Sequence, residues 1–138
     1  MVEMSIVYQG EKHCELTHGP SGSKIETDAP QDNMGRGARF SPTDLIGAAL
    51  ASCVLTTMAI VAEREDLKAN MTGATAKIVK EMVSTPTRKI GKLSLEIHMP
   101  KGIPQNVRDR LHKIADHCPV KRSLNPDVET PMQIIYPD

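Results

Sequence analysis

The sequence predicts an α+β fold: a block of short strands, one long central helix, a strand pair, a second helix and a closing strand. Three observations predict it. The N-terminal stretch alternates apolar with polar residues, an uncharged run from Leu45 to Ala62 follows a helix-start signal, and Leu93, Leu95 and Ile97 alternate strictly further on. Strands and helices come in blocks rather than as a repeating βαβ unit, so antiparallel sheets around the long helix are expected. At 138 residues the chain is expected to form a single domain, 1–138, with a modest core.

The first stretch, through Ile6, Tyr8, Cys14 and Leu16, is punctuated by Gln9-Gly10 and His18-Gly19-Pro20 and reads as two or three short antiparallel strands. From Asp28 to Ser41 comes a loop containing Pro30, Gly35 and Gly37 together with Asp32, Arg36 and Arg39. Loops this long inside a compact domain are often functional. The run Ser41-Pro42-Thr43-Asp44 then opens a helix: Ser41 suits the N-cap, Pro42 the first helical position, and Asp44 the acidic partner of a capping box.

That helix extends to about Glu63 and is apolar on nearly every face, which predicts burial all round by sheet and by a second subunit. Its uncharged run reaches the lower length limit for a membrane span. Gly47, Ser52, Thr56 and Thr57 dilute its hydrophobicity, and amphipathic strands elsewhere can cover it, so a buried core helix is the expectation and no membrane is invoked. Strands are next predicted over Thr72–Met82 and Lys89–Met99, joined as a hairpin through Ser84-Thr85-Pro86-Thr87. A second helix begins near Pro104 and must stop near Cys118, because Pro119 follows. Val120–Leu124 adds a further turn, and a last strand, about Val128–Tyr136 with Pro131 inside it, belongs at a sheet edge.

Composition excludes several function classes. Seventeen basic and 17 acidic residues give zero net charge, so the basic footprint of a nucleic-acid binder is missing. With no Trp and one Phe, stacking platforms for single strands are missing too. Glu3 and the early polar alternation give no secretory or transit pattern, so a cytoplasmic location is expected. In that compartment three widely spaced cysteines do not form a disulfide scaffold, and a reactive pair is the alternative to buried core thiols.

Cys53 lies about three turns inside the helix, beyond reach of the helix dipole. Burial in apolar surroundings raises a thiol pKa, so a reactive Cys53 needs a cation from elsewhere, and Arg36 and Arg39 in the preceding loop are the candidates. Cys118 stands where the second helix breaks, in His117-Cys118-Pro119-Val120, a more accessible position than mid-helix. Separation along the chain leaves open whether Cys53 and Cys118 meet or are two unrelated buried thiols. Cys14, beside His13 in a strand pattern, reads as packing. A zinc site from His13, Cys14, His18, His117 and Cys118 is conceivable, but no C-x-x-C or H-E-x-x-H spacing supports it, and no metal is expected. Hydrolase and nucleotide-binding motifs are missing.

The string FSPTDLIGAALASC from Phe40 to Cys53, followed downstream by HCPVKRSL from His117 to Leu124, resembles the OsmC/Ohr family of osmotically induced and organic-hydroperoxide-resistance proteins. The version GRGARFSPTDL, Gly35–Leu45, looks closer to the YhfA-like branch. The resemblance covers essentially the whole chain. It implies the OsmC-like fold as an intertwined homodimer, a peroxidatic Cys53, a resolving Cys118, and an Arg, held by a carboxylate, that lowers the thiol pKa. Arg39 is the first choice for that Arg and Arg36 the second. Typical members carry Glu directly after the motif's Pro; here Thr43 does so and Asp44 follows, which makes Asp44 a candidate carboxylate or a helix cap. The implied activity is reduction of organic hydroperoxides or hydrogen peroxide through a Cys53–Cys118 disulfide, reopened by a dithiol reductant, without metal, flavin or haem. The alternative is a non-catalytic stress protein that binds a small apolar ligand at the dimer interface.

Overall fold

The computed structural model describes all 138 residues, arranged as two compact units, Met1–Ile46 and Gly47–Asp138.

In the first unit, β1 (Met4–Gly10), β2 (His13–His18) and β3 (Lys24–Asp28) form an antiparallel sheet in the order β1-β2-β3. Glu11 and Lys12, both at positive φ (54° and 58°), make the two-residue turn between β1 and β2. Positive φ at both central residues matches the twist of paired strands. Ile6, Val7 and Tyr8 remain more than half exposed, at 58%, 57% and 65%, so β1 shows apolar side chains on both faces.

The loop after β3 contains a short 3-10 turn, Gln31–Asn33, and folds back on the strand end. The Ala38 N–H donates to Asp28 Oδ2 (3.1 Å), Asp28 N–H donates to the Phe40 carbonyl (3.2 Å), and Gly37 N–H donates to the Ala29 carbonyl (3.1 Å). Gly35 is required here by close approach, because a Cβ at this position would lie 1.8 Å from the Ala29 carbonyl oxygen.

Helix α1 (Pro42–Arg64) begins as its sequence dictates. Ser41 Oγ accepts from Asp44 N–H (3.1 Å) while Asp44 Oδ2 accepts from Ser41 N–H (2.9 Å). This reciprocal pair satisfies two of the donors that every helix start leaves open. By length and composition α1 could cross a membrane. Within this chain it is instead a core element, burying Gly47, Leu50, Ala51, Val54, Met58 and Ala62.

Burial all round is not reached within one chain. The buried residues recur at helical spacing along one side only, and Ile46 and Ile60 are 41% and 48% exposed. A three-stranded sheet covers one stripe of a helical rod, not its circumference.

In the second unit, β4 (Thr75–Val83) and β5 (Lys89–His98) form the expected hairpin. β4 starts at Thr75 rather than Thr72, because Gly73 at φ +92° and the Ala74 N–H to Met71 carbonyl bond (2.9 Å) make a turn just before it. Two short helices, α2 (Arg108–Ala115) and α3 (Pro119–Ser123), follow, and α2 is preceded by a 3-10 turn, Gln105–Val107. β6 (Met132–Ile135) then joins β5 in parallel, so the second sheet is mixed, with order β4-β5-β6. Parallel pairing requires a long crossover, which α2 and α3 supply. Pro131 stands just ahead of β6, where its carbonyl accepts from Leu95 N–H (2.9 Å) and its missing N–H costs nothing.

The core gathers Leu50, Val54 and Met58 of α1, Leu93 and Ile97 of β5, and Leu111 of α2. Cys118 is part of it, with no exposed surface.

Candidate functional site

Two of the three cysteines come together. Cys53 of α1 and Cys118 at the start of α3 are neighbours whose thiols influence one another, both reduced, with Cys53 half-buried and Cys118 fully buried, the reverse of the accessibility expected for a helix break. Different physics positions each. Cys53 faces the side of α1 that also carries Thr57, one turn on, and the Thr57 Oγ1 stands 3.7 Å from its sulfur. Cys118 is the N-cap of α3, with extended backbone; its sulfur accepts from Lys121 N–H (3.4 Å) and its carbonyl from Arg122 N–H (3.1 Å). Pro119 supplies the first helical residue and forces the chain to turn there.

The two thiols have opposite acidities. At Cys53 burial pushes the pKa up, but the Val120 N–H, the Thr57 hydroxyl and the Cys118 thiol all donate to the sulfur, and together they bring it below the ordinary value. At Cys118 burial is again the largest influence and raises the pKa; the Lys121 N–H opposes it, and donation to Cys53 adds to the rise. A thiolate at Cys53 with a protonated neighbour is therefore the favoured ionisation of the pair.

Alkylation rates follow the thiolate fraction at an accessible sulfur, so modification of Cys53 by iodoacetamide should reach half its maximal rate below the ordinary thiol pKa of 9.0, while buried Cys118 stays unmodified in the folded protein. Rates measured between pH 6 and 10 with site mapping check this. A midpoint for Cys53 above 9.0 would contradict the donor arrangement.

The remaining candidates lie in the first unit or at the head of α1. Arg39 donates from Nε to Glu26 Oε2 (3.1 Å) and from an Nη to the Ala38 carbonyl (3.0 Å). Arg36 accepts at its carbonyl from the Gln31 amide (3.3 Å) and is exposed. Asp44 completes the capping box. Cys14 sits in β2, half-buried, opposite Tyr8 and Thr27.

Five contributors have roles that the sequence did not assign to them. Thr57 was legible from the i, i+4 spacing to Cys53 on a helix. The Val120 N–H was within reach of a reading that made Cys118-Pro119 a helix start. Glu26, His13 and Asp28 emerge only from strand register: His13 faces Asp28 across β2 and β3, with Nδ1 to Oδ1 2.6 Å, and its Nε2 reaches Glu26 Oε1 at 3.2 Å. Asp28 raises the His13 pKa against the effect of desolvation, and His13 in return lowers that of Asp28. His13 is thus spent on carboxylates rather than on a metal. No three His, Cys, Asp or Glu side chains are grouped so as to hold a metal ion.

A family profile described as OsmC-like protein matches residues 35–131, which include the capping box and both Cys53 and Cys118. The chain belongs to the OsmC-like family. Among solved structures, this OsmC-like chain is similar to a protein named for osmotic stress induction and detoxification response from Psychrobacter arcticus 273-4, at 34% identity and TM-score 0.90, over 98% of this chain and 96% of that one. It shares its fold with the organic hydroperoxide resistance protein OsmC of Legionella pneumophila, at 18% identity and TM-score 0.76, over 97% and 96% of the two chains. The same holds for the organic hydroperoxide resistance protein OhrB of Bacillus subtilis, at 15% identity and TM-score 0.68, over 98% of each chain. At those identities the last two likenesses speak for the OsmC fold alone. A comparison with curated proteins returns no match.

Proposed function

We propose that this OsmC-like protein is a thiol-dependent peroxidase that reduces organic hydroperoxides or hydrogen peroxide. One arrangement supports the reading: a half-buried thiol, which neighbouring donors push below its ordinary pKa, stands beside a second, fully buried thiol that is pushed above it. The Cys53 thiolate attacks one peroxide oxygen, the O–O bond breaks, and the alcohol or water leaves after taking up a proton. Cys53 is then a sulfenic acid. The Cys118 sulfur attacks it, the S–O bond breaks, and the hydroxyl departs as water with the Cys118 proton. A dithiol reductant reopens the disulfide. None of these steps needs a metal, flavin or haem.

Arg39 is our choice for the activating guanidinium, ahead of Arg36, because Glu26 orients it and the family chemistry calls for an Arg held by a carboxylate. Asp44 is spent on the capping box, which makes Glu26 the better carboxylate. A homodimer belongs to the same proposal: the exposed Ile46 and Ile60 of α1 and the doubly apolar β1 are surfaces that a second copy would cover. We assign the chemistry to the cytoplasm, where reductants keep thiols cycling, and assign no nucleic-acid or membrane partner.

A cavity of about 790 Å³ favours a second reading. Leu55, Met71 and Ala74 line it on one side and Glu63, Asp66 and Lys68 rim it, so it could hold a small ligand with an apolar body in a non-catalytic protein. Mass spectrometry separates the two. After mild peroxide treatment the peroxidase should carry Cys53 and Cys118 joined within one chain and Cys14 free. Unmodified thiols throughout would leave only the binding reading.

A further inference from the structure

The disulfide must be opened at one of its two sulfurs, and the site distinguishes them. Cys118 has no exposed surface, lies in the hydrophobic core with Leu111 and Ile114, and has its sulfur engaged as the cap of α3. Cys53 is half-buried on a helix face flanked by the exposed Ser52 and Thr56. Resting on the reading of these thiols as a redox pair, we infer that the reductant attacks the Cys53 sulfur and expels Cys118, never the reverse.

Leaving-group chemistry argues the other way, which makes the assignment informative. The lower-pKa thiol leaves faster, and that thiol is Cys53. Such a preference only grades a rate, whereas attack must come in line with the S–S bond, and a sulfur without exposed surface offers no approach until the fold opens locally. Access therefore decides. The incoming sulfur bonds to Cys53, the S–S pair passes to Cys118, and Cys118 takes up the proton released by the attacking thiol. The Lys121 N–H, which donates to that sulfur in the reduced site, is placed to steady it as it leaves. With a dithiol, the second thiol then attacks its own partner sulfur and expels Cys53, whose thiolate is held by the Val120 N–H and Thr57. The poor leaving group is met in the first step and the good one in the second.

The test does not depend on peroxidase activity. The purified protein is oxidised with diamide, which joins neighbouring thiols directly, then exposed briefly to glutathione and quenched in acid before exchange equilibrates. Remaining thiols are alkylated and the adducts mapped by mass spectrometry. Glutathione should sit on Cys53, with Cys118 alkylated, in excess of about tenfold over the opposite pattern. Glutathione on Cys118, or an even split, would overturn the inference. Should peroxide fail to oxidise the protein while the diamide-made disulfide still opens at Cys53, the peroxidase reading falls and this inference stands. Failure of diamide to join the two thiols would remove both.

Discussion

Replacing Cys53 by serine is expected to lower peroxide consumption, with a dithiol supplied, by roughly 10³-fold or more, down to the rate of the dithiol alone. The expectation follows from the division of labour in the pair. A serine hydroxyl at position 53 would keep the neighbours Thr57 and Val120 N–H, but those donors act by stabilising a thiolate, and an alcohol does not ionise near neutral pH. Cys118 cannot take over, since it is buried and its thiol is pushed up. Cys118→Ser should behave differently: the first turnover survives, and the sulfenic acid on Cys53 persists long enough for capture by dimedone. Equal steady-state rates for wild type and Cys53→Ser would eliminate the enzyme reading.

Leu93→Ala should destabilise the fold by about 2–5 kcal/mol, the cost of a large-to-small change at a fully buried position. Leu93 has no exposed surface, belongs to the same core cluster as Leu50 and Met58, and has a methyl 3.4 Å from where a Cβ on Gly47 would stand. It lies on β5, which pairs with both β4 and β6, so the strand cannot shift to close the gap without breaking one ladder. Urea denaturation followed by circular dichroism would measure it. A loss below about 1 kcal/mol would mean that the core relaxes around the missing methyls.

What was legible in the sequence was local. The start of α1 could be placed to the residue because Ser41, Pro42 and Asp44 act on groups within one helical turn of one another. The hairpin was legible because alternation on a strand is a nearest-neighbour pattern, and Leu93, Leu95 and Ile97 follow it without a break. Long-range pairing was hidden. Nothing in Met132–Ile135 by itself says that it runs parallel to β5, and no spacing rule brings Cys118 to Cys53. The expectation that only a cation could activate Cys53 overlooked neutral donors, because a backbone N–H such as that of Val120 belongs to every residue type and leaves no mark in the sequence. The residues around Arg39 were missed for a related reason. His13 and Asp28 are neighbours only across a strand pair, so their contact is set by register rather than by order.

The tight seat of Gly35 against the Ala29 carbonyl has a consequence for how this chain tolerates change. Gly10, Gly22, Gly73 and Gly102 differ: they adopt positive φ but nothing crowds them, so alanine there would meet strain but no collision. At position 35 even one methyl group would have to displace main chain. In a saturation library that scores folding, the four open glycines should show pale, graded rows, and position 35 should be blank except for the parent residue.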